Sequence, residues 1–268
     1  MEKEKIIKLA DAFMQEAFQA NCYVDLINQY SRNVKEYFDE LKISGAFYSY
    51  TYNALVIATF MELAKIYDRN RDSVNIKQLL DDCKEKKNLF PQQRMFEING
   101  ENKAFPYQHT VTADEKEFFI LEIDKQRPIN EMFGNPDFQI TVNMSVDKYF
   151  ELYEWKYEKI EPIIQNLLKQ RNKIYAHNDK RFIGNIEEVI GKFPVSKNDI
   201  DSLINFAIEF CRFVLALLTG IYRADKPVNI EDWEGTLKLV RLGNKYRDIE
   251  IENQKKKFIE QMHNDTIC

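Results

Sequence analysis

The stretch Arg171-Asn172-Lys173-Ile174-Tyr175-Ala176-His177-Asn178-Asp179 concentrates side chains that bind and cleave phosphodiesters. Arginine presents a planar fork of donors to a phosphate. Histidine, with a reference pKa of about 6.5, can take or give a proton near neutral pH. In that chemistry Arg171 stabilises the extra negative charge of a pentavalent transition state. His177 acts as general base on a ribose 2′-hydroxyl or as general acid on the leaving 5′-oxygen. Asn172 supports by hydrogen-bonding a phosphate oxygen or orienting the imidazole, and Asp179 by holding the working tautomer. Two structural readings compete. His177 can cap the C-terminal turn of its helix, where a cation meets the negative end of the dipole. Arg171 can pair with a core carboxylate such as Glu62.

The element that must position these groups is a helix. Ile160, Ile163, Ile164, Leu167 and Leu168 fall on one face, and the same phase continues onto Arg171, Ile174 and Tyr175. A permanent charge aimed along an apolar stripe must find an anionic or hydrogen-bonding partner. His177, six residues on, lies about 120° around an ideal helix and roughly 9 Å along it. One helix therefore separates the two groups, whereas two copies related by a two-fold axis can line one cleft with both arginines and both histidines. A homodimer is expected on that ground. Lys169, Lys173, Lys180 and Arg181 are the RNA-binding candidates around the motif. The scheme needs no metal and no cofactor, and the chain carries no H-E-x-x-H motif or other recognised metal-binding spacing.

Arg171, Asn172 and His177, at the end of a helix and with five residues between Arg and His, resemble the motif of the HEPN superfamily of all-helical RNases and nucleotide-binding domains. A second block, Leu55 to Leu80, resembles the abortive-infection U-type branch of that superfamily. In that branch an apolar helix ends in an Asp, here Asp68, and a Ser, here Ser73, starts the next helix. The resemblance implies an all-α, HEPN-like bundle. It also implies a metal-independent endoribonuclease that works as a toxin or abortive-infection effector in phage defence. RNA would be its target and an antitoxin or regulatory protein a further partner. The alternative is a non-catalytic HEPN-like module that binds a nucleotide or a protein.

Composition agrees with helices. The 268 residues include only 8 Gly and 7 Pro, with 30% charged and 13% aromatic side chains, which favours long helices over a turn-rich sheet protein. The formal net charge of -5 excludes binding nucleic acid everywhere by bulk attraction, so an RNA contact must be a local basic patch. Lys255 to Lys257 read as a solvated helix face. The cysteines at 22, 83, 211 and 268 form no C-x-x-C pair. A reducing cytosol fits them best, with Cys211 an ordinary buried thiol. The start, MEKEKIIKLADAF, lacks an apolar signal core. Residues 46–64 contain Glu62, and 206–221 contain Glu209 and Arg212, so both read as core helices rather than membrane spans. A cytoplasmic protein with no membrane contact is expected.

Along the chain, helices are expected over 3–20 and 22–43, the second stopped by Ser44-Gly45. Phe47 to Tyr67, apolar almost all round, reads as the centre of the bundle. Asp72-Ser73 offers an N-cap to a helix near 74–87. Residues 88–147, broken by Pro91, Pro106, Pro128, Pro136 and Asn99-Gly100, read as an irregular inserted segment or lid, with short strands at Phe118 to Ile123 and Phe138 to Val142. A helix from Val146 to Tyr175 comes next, then a loop over 178–197. The stripe Ile200, Leu203, Ile204, Ala207, Phe210, Cys211, Val214, Leu217, Leu218 and Ile221 then marks a helix packed on the motif helix. Asn229 with Asp232 resembles a cap for Trp233 to Val240, and 241–268 is a charged tail. All of this reads as one helical domain, 1–268, whose core includes Leu55, Phe60, Ile164, Leu167, Phe210, Val214 and Leu217. His109 and His263 read as solvent-facing, and Tyr48, Tyr50 and Tyr52 as core or interface packing rather than a base-stacking platform.

Overall fold

A computed structural model of the chain describes residues 2–70, 73–132, 139–176, 186–228, 230 and 232–265. His177, Asn178, Asp179, Lys180 and Arg181 lie outside the described residues, as do Asp72, Pro136, Asn229 and Cys268. The fold is mainly α-helical, with a few short strands in two small antiparallel sheets. The helices are α1 (Glu2–Asn33), α2 (Phe38–Ile43), α3 (Gly45–Tyr67), α4 (Ile76–Glu85), α5 (Ile120–Met132), α6 (Val146–Gln170), α7 (Ile186–Lys192), α8 (Lys197–Thr219) and α9 (Asp232–Asp265). A π-helical turn, Arg171–Ala176, continues α6.

The chain forms two compact units. One comprises residues 1–19 and 60–225, the other 20–59 and 226–268. In the first unit the centre is α6 against α8, as their matching stripes require. Tyr153 meets Phe206, Phe210 and Phe213, and Tyr157 meets Phe206, in tilted and edge-on ring contacts. Such offset geometry suits the ring quadrupoles better than face-to-face stacking. Ser196 caps α8 through the backbone N–H of Asp199, while the Asp199 side chain accepts from the N–H of Ser196. Gly220 ends the helix at φ 72°, a left-handed conformation that glycine adopts without a Cβ clash. α8 is long and apolar enough to cross a membrane, yet Leu203, Ala207, Phe210, Cys211 and Val214 are fully buried in this unit. It is a core helix, and burial pushes the Cys211 thiol well above its ordinary pKa.

The segment between α4 and α6 holds both sheets. β1 (Arg94–Ile98) and β2 (Glu101–Phe105) form a hairpin. Its turn, Asn99 at φ 54° and Gly100 at φ 80°, is the two-residue loop that positive φ at both positions allows. β3 (Tyr107–Thr110) pairs with β4 (Thr141–Met144). The expected strand at Phe118 to Ile123 does not form. Its two aromatic residues instead lie in the turn before α5, where Phe119 is buried and packs at a tilt on the His109 ring. The expected strand at Phe138 to Val142 is shifted to β4.

Other boundaries differ for local reasons. α1 runs unbroken to Asn33, through the expected break near residue 21. Asn75, not Asp72 or Ser73, caps α4: its side chain accepts from Gln78 N–H while Gln78 reaches back to Asn75 N–H. α3 is not the buried centre along its whole length. Phe60, Leu63, Ala64, Ile66 and Tyr67 are buried, but Phe47, Tyr50 and Ile57 are exposed, and Leu55 is half-buried. An apolar composition all round a helix permits burial but cannot supply the neighbours that would bury every side. Leu217 is likewise half-buried.

Leu167 is fully buried on the α6 stripe. Leu167→Ala is expected to cost about 2–5 kcal/mol, the range for a leucine truncated in a packed core. Chemical denaturation of the two proteins measures it.

Candidate functional site

α6 carries its apolar stripe through Ile164 and Leu167, both fully buried, and delivers Arg171 at the next position of the same face. There the helix changes character. The N–H of Arg171 is shared between the carbonyls of Leu167 and Leu168, and the turn beyond it, Arg171–Ala176, is π-helical. Such turns are rare and cluster at functional sites. The Arg171 side chain is only 15% exposed. Its Nη2 lies 3.0 Å from Asp68 Oδ2 in an ion pair, while its buried Nε–H has no hydrogen-bond partner among the described residues.

Asp68, just past the end of α3, is a built receptor for that charge. Asn70 donates to it twice, from its backbone N–H to Oδ1 at 3.1 Å and from its side-chain amide to Oδ2 at 3.0 Å. Asn75 Nδ2, from the cap of α4, donates to the Asp68 carbonyl at 2.9 Å. The Asn70 carbonyl in turn accepts from the N–H and hydroxyl of Ser73. The Asx-type turn after α3, the start of α4 and the end of α6 thus meet at one residue, Asp68, the first and last at its carboxylate and α4 at its main-chain carbonyl. The expected ion pair of Arg171 exists, but with Asp68. Glu62, the carboxylate named from sequence, pairs with Lys65 at 2.8 Å. Only the block Leu55 to Leu80 pointed to Asp68, as the residue ending its apolar helix.

The other candidates are distributed differently. Asn172 is exposed beside Arg171. Lys169 and Lys173 reach the ring of Phe193, at 4.9 and 5.9 Å from its centroid. Lys169 lies about 200° around α6 from Arg171, so the two do not share a face. On the same side as Lys169, Gln170 Nε2 and Asn166 Nδ2 donate to the carbonyls of Phe193 and Pro194. Those bonds fix the chain before α8. His177, Asp179, Lys180 and Arg181 fall outside the described residues, so the relation of the imidazole to Arg171 rests on sequence.

The blocks that carried a resemblance, one containing Asp68 and one beginning at Arg171, therefore meet in space through that ion pair. The AbiU2 family model (HEPN_AbiU2) matches residues 3–236, both blocks included. The chain belongs to the AbiU2 family. It is accordingly an abortive-infection protein of HEPN type. No curated protein and no solved structure matches it.

A second charged cluster in this AbiU2 chain was not foreseen. His109, expected to face solvent, is partly buried on β3. Its Nε2 lies 2.7 Å from Glu115 Oε2, and its ring packs against Phe119 and Tyr149. Glu115 is 1% exposed and also binds Lys156 Nζ at 2.8 Å and the Thr112 N–H at 3.0 Å. Lys156, on α6, continues to Glu209 of α8 at 3.0 Å. Burial opposes the Glu115 carboxylate, but the hydrogen bonds from His109, Lys156 and Thr112 and the charge of Lys156 outweigh it. They hold the pKa well below the usual carboxylate range. For Lys156 burial is likewise outweighed, by the charge and hydrogen bonds of Glu209 and Glu115, and its pKa is raised. The cluster ties the segment between α4 and α6 to the core. No helical periodicity signals it, because His109 and Glu115 lie in short, irregular elements.

Two outcomes are expected. Removing one partner of the Arg171–Asp68 pair strands a partly buried charge. Asp68→Ala should therefore destabilise by roughly 1–3 kcal/mol, and Asp68→Ala combined with Arg171→Met by less, as a double-mutant cycle in denaturant reads directly. Glu115 has a depressed folded pKa, so its stabilisation is complete above the ordinary carboxylate range and is lost as pH falls below it. The stability gap between the parent and Glu115→Gln should therefore be widest at neutral pH and close on acidification, as unfolding curves across that range test.

Proposed function

We propose that this protein is a metal-independent endoribonuclease of HEPN type, a toxin or abortive-infection effector that acts in the cytoplasm as a homodimer. The observation that carries the reading is the state of Arg171. Its guanidinium is largely withdrawn from water at a π-helical turn, one Nη is held by Asp68, and its buried Nε–H is unpaired among the described residues. An unsatisfied buried donor costs free energy, and an anion of matching geometry relieves that cost. Family membership supports a nucleic-acid phosphate as that anion.

In this scheme Arg171 grips the scissile phosphate and stabilises the charge that accumulates on its equatorial oxygens. His177 of one subunit removes the proton of the ribose 2′-hydroxyl, whose oxygen attacks phosphorus. The bond from phosphorus to the 5′-oxygen breaks, and His177 of the second subunit protonates the leaving oxygen. The products are a 2′,3′-cyclic phosphate and a 5′-hydroxyl end. Asn172 hydrogen-bonds a phosphate oxygen, and Asp179 orients the imidazole. Lys173, Lys180 and Arg181 contact the RNA backbone, whereas Lys169, which does not share a face with Arg171, stands away from that phosphate. A regulatory or antitoxin partner would act by covering this cleft.

Incubation of the purified protein with labelled RNA in EDTA should yield 2′,3′-cyclic ends. His177→Ala should lower the rate by about 10²- to 10⁴-fold with an unchanged melting temperature. Arg171→Lys should fail almost as badly, because an ammonium cannot reproduce the two-pronged grip. Undiminished cleavage by either variant would move the active site elsewhere. RNA bound without products by the parent protein would favour a binding module instead.

A further inference from the structure

In the unit formed by residues 20–59 and 226–268, the buried apolar cluster is Tyr37, Leu41 and Leu237, edged by Tyr30, Val34, Tyr48 and Trp233. A core this small contributes little stability on its own. α9 joins it through one face only. Leu237 is fully buried, and Arg241 pairs with Glu40 at 2.8 Å while its guanidinium lies over the Tyr37 ring. Between about 120° and 200° around the helix from Leu237 stand Leu239, Leu242, Tyr246 and Ile249, exposed by 69, 51, 70 and 45%. Their spacing alternates between three and four residues, which is a heptad seam with no partner among the described residues. Single exposed apolar residues are ordinary, but a continuous stripe marks an interaction surface.

We propose that this stripe pairs with the same stripe of a second copy of the chain, as a short parallel two-stranded coiled coil. With Leu239 and Tyr246 at a, and Leu242 and Ile249 at d, the flanking g positions are Lys245 and Glu252, and the e positions Glu250 and Lys257. A parallel pair sets each g residue against the e residue of the partner's next heptad. Lys245 then meets Glu250 and Glu252 meets Lys257, so the two pairs on either side all have opposite sign. An antiparallel pair sets g against g and e against e; the register that brings Lys245 to Glu252 then leaves Glu250 facing Gly243, so half of the match is lost. Asn253 takes the next a position, where one polar residue facing its own counterpart fixes register and favours two strands. Lys256 at the d position after it ends the seam. The charge pattern thus fits the chain to itself rather than to an unrelated apolar helix. The interface does not depend on RNA cleavage or on pairing at the helix that ends in His177.

Sedimentation of the full-length protein at micromolar concentration tests it. The parent chain should dimerise. The variant carrying Leu242→Glu and Tyr246→Glu should self-associate at least about tenfold more weakly, which is about 1.4 kcal/mol, with unchanged circular dichroism because both side chains face solvent. Lys245→Glu and Glu250→Lys should each weaken self-association by setting like charges against each other. An equimolar mixture of those two single variants should regain it, because each then meets its opposite. A monomeric parent would overturn the proposal. So would an undiminished dimer of the doubly substituted variant, an outcome that leaves pairing through the motif helix standing. Failure of the mixture to recover would refute the parallel arrangement.

Discussion

Placing a permanent positive charge at the end of an apolar stripe is the constraint on which this fold turns. Arg171 succeeds Leu167 on the buried face of α6, and its guanidinium cannot be neutralised by losing a proton. A fixed carboxylate must be brought to it. That requirement explains why Asp68 is secured from several directions, with its oxygens held by Asn70 and its carbonyl by Asn75. The same bonds end α3, set the turn after it and begin α4. Three helix ends are therefore positioned by the solvation of one side chain, which still leaves one buried donor of Arg171 without a partner among the described residues.

The two charged clusters of the first unit divide the labour differently. Around Arg171, an orphaned donor leaves electrostatic capacity unused. Around Glu115, the carboxylate is satisfied by His109, Lys156 and Thr112 and has nothing left to offer. Fully satisfied buried networks rigidify and specify, which suits the second cluster to clamping the sheet-bearing segment onto α6. The cluster around Arg171 is only partly satisfied. His109, read from sequence as solvent-facing, belongs to the satisfied network through its contact with Glu115.

Features written in helical periodicity were the ones legible in the sequence. The stripes of α6 and α8 are clear over many turns, so their mutual packing and the burial of Ile164, Leu167, Phe210 and Val214 could be read directly. Arg171 was legible as a charge on an apolar face. Its partner was not, because Asp68 lies outside any regular element and is distant in the chain, whereas Glu62 sits inside an attractive helix. The cap of α4 was misplaced for a similar reason: Asp72, Ser73 and Asn75 all have side chains able to cap, and only the reciprocal bond with Gln78 selects Asn75. The exposure of Phe47 and Tyr50 on α3 was hidden because composition records apolarity and not the presence of neighbours.

The π-helical turn at Arg171–Ala176 separates two quantities that are usually exchanged freely, the number of residues between two groups and the angle between them. On an α-helix each residue adds about 100°. A π turn closes its hydrogen bond one residue later, so each residue adds less. A gap lengthened by one residue across such a turn delivers the next side chain at nearly the bearing that the shorter gap gives on an α turn. Insertions and deletions here thus need not rotate the side chains beyond the turn, provided that the helix widens or tightens to match. Sequence patterns with an elastic gap after the arginine then describe one geometry counted in different numbers of residues.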